Sequence, residues 1–310
     1  MSITRISVEV LLIADLLPAS VAALAQHVTL LDGRDPAARA TLVETRGANI
    51  RAIATNGHVG ASRGLIEALP KLEIISCFSA GVDYIDIAAA AEHGVIVTNT
   101  SAALADDVAD VAIAKCLLLL RHFAEADRFV REGQWNKGEF PFGRSTKGKR
   151  LGILGLGTIG KAIARRAEVM GMSIAYSSRS PQPDAPYRAA ASLEALAAES
   201  DFLVVCCPAT PETRHLVNAR ILEALGPEGY LVNIARGSVV DEAALVAALQ
   251  AGTIAGAGLD VFEHEPGLSP ELLTMANVSL SPHIGSATHE TRAAMGQLMI
   301  DNILGHFAKG

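Results

Sequence analysis

Leu151-Gly152-Ile153-Leu154-Gly155-Leu156-Gly157-Thr158-Ile159-Gly160 is the stretch on which the reading of this chain turns. Its first four residues are short and apolar, as a strand buried on both faces should be. Its last six match G-x-G-x-x-G, and a helical pattern runs from Ile159 to Met170 before Gly171 ends it. The glycine pattern alone is common; a strand before it and a helix after it make it specific. The first glycine of such a turn allows the tight bend. The second lets phosphates approach the backbone, and the third lets the helix pack closely on the strand. The helix start adds free N–H groups and the positive end of its dipole. The stretch therefore predicts a cradle for a dinucleotide pyrophosphate formed by Gly155, Leu156, Gly157, Thr158, Ile159 and Gly160.

Outward from this turn the chain alternates strands and helices. Downstream, Ser173–Ser177, Phe202–Cys207, Tyr230–Ile234, Ala255–Leu259 and Val278–Leu280 read as strands, and Leu193–Glu199 as a helix. Asp241 is placed to cap a helix running to Gln250, with Gly252 just past its end. Upstream, Val8–Ile13, Ile50–Ala54, Leu72–Phe78 and Val95–Thr98 form an earlier strand series, with a helix at Ile85–Glu92. Long helices follow near Leu104–His122 and over Phe123–Arg131. The Gly133–Lys149 segment reads as a loop carrying Trp135, the only tryptophan. The last helix, near His289–Phe307, has no strand after it and is expected to dock back on the first series. The prediction is an α/β protein of two Rossmann-like domains, one inserted in the other: 1–99 plus 287–310, and 100–286.

Composition agrees with this and excludes other classes. The 310 residues are 50% hydrophobic and 19% charged, with a net charge of −7. Whole-chain disorder is excluded by that hydrophobicity. A negative balance leaves no footprint for nucleic acid. The most apolar window, Val111–Leu120, contains Lys115 and is far shorter than the ~20 residues a membrane span needs. Glu9 and Asp15 interrupt the first apolar run and no basic segment precedes it, so no secretory leader is expected. Cys77, Cys116, Cys206 and Cys207 have no metal-binding spacing and are expected to be buried, inert thiols in the cytoplasm.

An NAD site usually places an acidic residue about 20 residues beyond the glycine turn, on the ribose hydroxyl. Here Ser178-Arg179-Ser180 stands there, and the nearest acid is Asp184, beyond Pro181 and Pro183. An arginine flanked by hydroxyls suits a 2′-phosphate, so NADP(H) is predicted in preference to NAD(H). Three later strand ends carry Arg236, Glu265 and His283. A guanidinium can bind a 2-oxo acid's carboxylate and polarise its ketone. An imidazolium can give the ketone a proton, and a carboxylate can hold the imidazole tautomer.

These segments together resemble the D-isomer-specific 2-hydroxyacid dehydrogenase family. Gly155–Gly160, Asn233–Gly237, Gly256–Pro266 and Ser281–Thr288 are similar to its motifs in order and spacing. So are Phe78–Asp83 and the run Asp106–Asp110. The resemblance covers nearly the whole chain. It implies a flavodoxin-like substrate domain with an inserted dinucleotide-binding domain. It implies Arg236 as the substrate arginine, Glu265 as the partner of the histidine and His283 as the proton donor. Ile234, Asp260 and Gly285 join the cofactor contacts, and Asn56, Ala80 and Gly81 the substrate contacts. Glu263 shares the Glu265 loop without occupying the catalytic position. His58 is not the residue the family leads one to expect beside Asn56, which leaves the substrate's size open. The Asp106–Ala112 run and Ser178-Arg179-Ser180 look most like NADPH-dependent glyoxylate/hydroxypyruvate and hydroxyphenylpyruvate reductases. Reduction of a small 2-oxo acid to the D-2-hydroxy acid is therefore expected, without a metal, by a homodimer. The alternatives are an aromatic 2-oxo acid as substrate and a non-enzymatic, dinucleotide-sensing binding protein.

Overall fold

The computed structural model describes residues 6–180 and 182–308; Pro181 and the first five residues, which the readings above touch, lie outside them. The chain divides into two compact units, Met1–Leu104 with Thr288–Gly310, and Ala105–Ala287.

Unit 1 begins with β1 (Glu9–Leu12), α1 (Pro18–His27), β2 (Thr29–Asp32), α2 (Pro36–Arg46) and β3 (Ile50–Asn56). It continues through α3 (Arg63–Glu67), β4 (Ile74–Phe78), α4 (Ile87–Glu92) and β5 (Ile96–Thr98). The five strands form one sheet in the order β2-β1-β3-β4-β5, every pair parallel. Ligands of open α/β sheets bind at carboxyl ends beside the point where strand order reverses, here β1 and β3. Short side-chain caps start the helices: Asp35 accepts from Ala38 N–H at 2.8 Å and Asp86 from Ala89 N–H at 2.8 Å. The core gathers Leu11, Ile53, Ile66, Ile75 and Ile85.

The helix α5 (Ser101–Arg121) carries the chain into unit 2, followed by α6 (Phe123–Arg131). Then come β6 (Arg150–Leu154), α7 (Thr158–Val169), β7 (Ser173–Ser177), β8 (Arg188–Ala189), α8 (Leu193–Ala198) and β9 (Phe202–Val205). The unit closes with α9 (Ala219–Leu225), β10 (Tyr230–Asn233), α10 (Glu242–Ala251), β11 (Gly256–Leu259) and β12 (Val278–Leu280). Its seven parallel strands run β12-β11-β10-β9-β6-β7-β8. The order reverses between β6 and β9, so the glycine turn after β6 opens at the switch point. Asp241 caps α10 through Ala244 N–H at 3.0 Å, and Gly252 ends it at φ 68°. The last helix, α11 (His289–Phe307), returns to unit 1 and packs on β4, with Ser76 Oγ donating to the Met299 carbonyl at 3.3 Å.

The fold class read from the sequence holds: both units are doubly wound, parallel α/β layers. Four differences stand out. The structure adds β2, α1, α2, α3 and α9 to the elements read above. It also adds β8, only two residues long. The strand read to Cys207 stops at Val205. Cys77 and Cys116 are buried, but Cys206 and Cys207 are only partly so.

Candidate active site

Unit 2 builds two adjacent features at the carboxyl ends of its strands. The first is the glycine turn. Gly155 takes φ 100°, and a Cβ there would stand 2.8 Å from the Cys207 backbone. A Cβ on Gly160 would stand 2.2 Å from the Gly155 carbonyl oxygen, whereas one on Gly157 would meet open space. The turn thus needs glycine for shape at both ends and leaves its middle accessible. Gly157 caps α7 without a side-chain hydrogen bond, so its cap position leaves the first amide groups of that helix without a side-chain acceptor. Leu156 is fully buried beneath the turn, and Thr158 faces solvent. This donor set fits a dinucleotide pyrophosphate. Arg179 and Ser180 are exposed past the end of β7, with Ser178 half-buried. The sequence reading missed Glu212. Its carboxyl is held below the usual range by the Thr210 hydroxyl first and, among lesser causes, by the Arg179 charge.

The second feature joins the loops after β10, β11 and β12. Arg236, half-buried, donates through Nη1 to the Ala235 carbonyl at 2.8 Å. Its neighbour Gly237 lies so close to the Phe262 backbone that a Cβ would overlap it. The arginine loop therefore packs directly on the loop bearing Glu265. His283 stands at φ 54°, with its N–H donating to the Asp260 carbonyl at 2.8 Å. Its Nδ1 lies 2.8 Å from Glu265 Oε2, while Glu265 Oε1 accepts from Phe262 N–H at 3.0 Å. Burial pushes the Glu265 carboxyl up. The His283 hydrogen bond, the Phe262 N–H and the charges of His283 and Arg236 more than reverse this, and the carboxyl ends below its usual range.

Asp260, 1% exposed, ties the histidine loop down. Its carboxylate accepts from the Ser281 hydroxyl, from Ile284 N–H at 3.0 Å and from Gly285 N–H at 2.8 Å. Ile234 is buried at the end of β10, its N–H donating to the Val205 carbonyl at 3.3 Å. Two further anchors complete the site: Glu242, which the sequence did not single out, and Glu263, named there only as a loop neighbour of Glu265. Glu242, in the first turn of α10, accepts from Glu263 N–H at 3.0 Å, Ser269 N–H at 2.9 Å and Ser269 Oγ at 2.7 Å. Glu263 lies 2.6 Å from His215 Nε2 and 3.1 Å from Arg214 Nη2, so it anchors the Glu265 loop through that pair. The signal for Glu242 was its place beside the Asp241 cap; the contacts of Glu263 span some fifty residues and left no local trace.

The remaining predicted residues lie in unit 1. Asn56 closes β3, its Oδ1 accepting from the N–H groups of His58 and Val59, both at 3.0 Å. The Ala80 carbonyl accepts from Asn99 Nδ2 at 3.1 Å. The N–H groups of Ala80 and Gly81 donate to no acceptor among the described residues. Among the described residues no cluster of three His, Cys, Asp or Glu could hold a metal, and no helix is long and apolar enough to cross a membrane.

Comparison with known proteins matches residues 113–285 to the model for "D-isomer specific 2-hydroxyacid dehydrogenase, NAD binding domain". The chain is 50% identical to hydroxyphenylpyruvate reductase of Plectranthus scutellarioides over 260 residues, 84% of this chain and 83% of that protein. It is 48% identical to a glyoxylate/hydroxypyruvate reductase A of Arabidopsis thaliana over 270 residues, 87% and 86% of the two chains. Among solved structures, it resembles the NADPH-dependent glyoxylate/hydroxypyruvate reductase of Sinorhizobium meliloti in complex with NADP and malonate. That match has TM-score 0.86 and 42% identity, over 98% of this chain and 94% of that one.

Proposed function

This chain belongs to the D-isomer-specific 2-hydroxyacid dehydrogenase family, and from that premise we propose that it reduces a small 2-oxo acid, glyoxylate or hydroxypyruvate, with NADPH. The observation that carries the reading is the His283–Glu265 pair at 2.8 Å, set beside Arg236 in a unit that opens with the glycine turn. NADPH, when bound, supplies the hydride that reduces the ketone carbon. The chain supplies the rest. Arg236 binds the substrate carboxylate and draws charge from the ketone oxygen. His283 gives that oxygen a proton from the nitrogen that does not face Glu265. Glu265 engages the other nitrogen and so fixes the orientation of the ring. Hydride and proton together convert the ketone to the D-2-hydroxy acid.

Several site assignments belong to the same proposal. Gly155 to Gly160 hold the pyrophosphate, and Ser178, Arg179 and Ser180 hold the 2′-phosphate. Ile234, Asp260 and Gly285 border the nicotinamide. In unit 1, the unengaged N–H groups of Ala80 and Gly81 receive a carboxylate, with Asn56 nearby in the same layer. A phenyl-bearing 2-oxo acid is the second substrate class, favoured by the 50% identity to a hydroxyphenylpyruvate reductase.

We also infer a homodimer. In α6 no residue is buried, and Phe123, Val130, Trp135 and Phe142 leave half or more of their surface to solvent; Phe142 is 97% exposed. Apolar surface of that kind marks a contact between chains. All four cysteines are free thiols, which supports a cytoplasmic setting.

Kinetics of two variants test the reading. Arg236→Ala should raise KM steeply and lower kcat, whereas His283→Ala should mainly lower kcat. Full activity in both would overturn it. A panel of glyoxylate, hydroxypyruvate, pyruvate and phenyl-bearing 2-oxo acids under NADPH fixes the substrate class.

A further inference from the structure

Among the described residues, Lys115 is the only buried cation, 2% exposed on α5; Asp260 and Glu242 are the buried anions, and all three lie in unit 2. A buried ammonium is costly unless it is paired and hydrogen-bonded. Lys115 Nζ donates to the Ser279 carbonyl of β12 at 3.1 Å. Its stem lies across β11 at Gly258, where a Cβ would approach Lys115 Cβ to 2.8 Å and Cδ to 3.1 Å. Glycine at 258 is what admits the lysine. Both contacts fall two residues before a site residue: Gly258 before Asp260, and Ser279 before Ser281.

The charge has one acidic complement. Burial lowers the Lys115 ammonium to about 8, and the opposing pull is that of Asp260. The Glu242 carboxylate, by contrast, is engaged by Glu263 and Ser269. Asp260 is the residue that gathers Ser281, Ile284 and Gly285 around the histidine loop.

We propose that Lys115 is a positioning residue for His283: its buried ammonium offsets the charge of Asp260 and holds β12 at Ser279, and together these hold the 281–285 loop that presents the imidazole to Glu265. The kinetic consequence rests on His283 being the proton donor, whereas the tether itself is geometry within unit 2. Lys115 touches no reacting atom; it acts through Asp260 and β12.

Two substitutions separate charge from bulk. Lys115→Met keeps the stem and removes the charge, and Lys115→Arg keeps the charge. Circular dichroism and thermal melting establish that each folds, and fluorescence titration with NADPH establishes binding. With hydroxypyruvate, K115M should lose about 10- to 100-fold in kcat, the cost of a general acid moved out of line. Its KM should stay within about threefold of wild type, as expected when substrate binding is untouched. K115R should recover most of the loss. A second readout needs no turnover: the nitrogen NMR spectrum of the histidine side chains, with His283 assigned through His283→Gln. Wild type should show one His283 tautomer, locked by Glu265, and K115M a mixture.

A folded, NADPH-binding K115M with wild-type kcat and a wild-type His283 spectrum overturns the proposal. Should K115M not fold, Gly258→Ala crowds the same stem with the charge retained, and an unchanged His283 spectrum in that variant overturns it equally. Wild-type protein without turnover would count against the reductase reading, while the spectrum would still decide the tether.

Discussion

Glu265 serves two donors at once, and Glu265→Gln cannot. One carboxylate oxygen accepts from Phe262 N–H at 3.0 Å, and the other faces His283 Nδ1 at 2.8 Å. Glutamine has one acceptor oxygen and one NH2 group. Whichever way it turns, an NH2 group confronts either the Phe262 amide or the imidazole. The variant therefore removes a charged hydrogen bond at constant volume. Hydrogen bonds to charged groups contribute about 1.5–3 kcal/mol. The side chains of His283 and Glu265 are 36% and 30% exposed, and solvent screening reduces the range to its lower part, about 1.5–2 kcal/mol. That corresponds to roughly a 10- to 30-fold loss in kcat. KM should change little, because the proposed role of Glu265 runs through the imidazole rather than the substrate. Initial rates of NADPH oxidation with hydroxypyruvate measure both constants. The pH dependence follows from the lowered Glu265 carboxyl: its contribution is present above the ordinary value of 4.5 and disappears as pH falls through the lowered one. A Glu265→Gln enzyme with kcat within twofold of wild type, or a loss confined to KM, would refute the reasoning.

Three other outcomes follow from the same geometry. Gly160→Ala places a Cβ 2.2 Å from the Gly155 carbonyl, so the turn must open; NADPH affinity by fluorescence titration should fall at least about tenfold. Arg179→Gln should cost about 10- to 100-fold in kcat/KM for NADPH and leave NADH nearly unchanged, as loss of a charge-assisted phosphate contact predicts; equal losses with both cofactors would contradict the assignment. Lys115 is lowered by burial from 10.5 to about 8, so between those values the unfolded chain binds its proton more tightly than the folded one. Stability should therefore rise with pH across that window, by up to about 3 kcal/mol at about 1.36 kcal/mol per pH unit. Urea unfolding at pH 7.5 and above, with K115M as the flatter reference, checks the slope.

Local patterns were legible in the sequence, and distant contacts were not. The glycine turn could be read because its strand, its glycines and its helix are contiguous. Arg236, Glu265 and His283 could be nominated because each follows a short apolar strand, where α/β sheets expose side chains. The helix α2 escaped because none of its residues is buried, so it has no apolar stripe to detect. The strand β8 escaped because two exposed residues carry no alternation. Lys115 read as an interruption in an apolar helix; its acceptor Ser279 lies 164 positions away. The same holds for Glu263, whose partners His215 and Arg214 come from the far side of two strands. The roles of Asp260 show the boundary well. Its place in a motif was visible, but its three hydrogen bonds to the histidine loop emerge only when β11 and β12 are paired.

The central claim is that His283, backed by Glu265, protonates a 2-oxo acid as NADPH reduces it. Its most direct test is the product itself: hydroxypyruvate and NADPH incubated with wild type and with His283→Ala, and the glycerate resolved by chiral chromatography. The account predicts one D-glycerate for each NADPH consumed by wild type, and almost none from the variant. NADPH that binds tightly yet is never consumed with any 2-oxo acid of the panel, or a product of the L configuration, would contradict it.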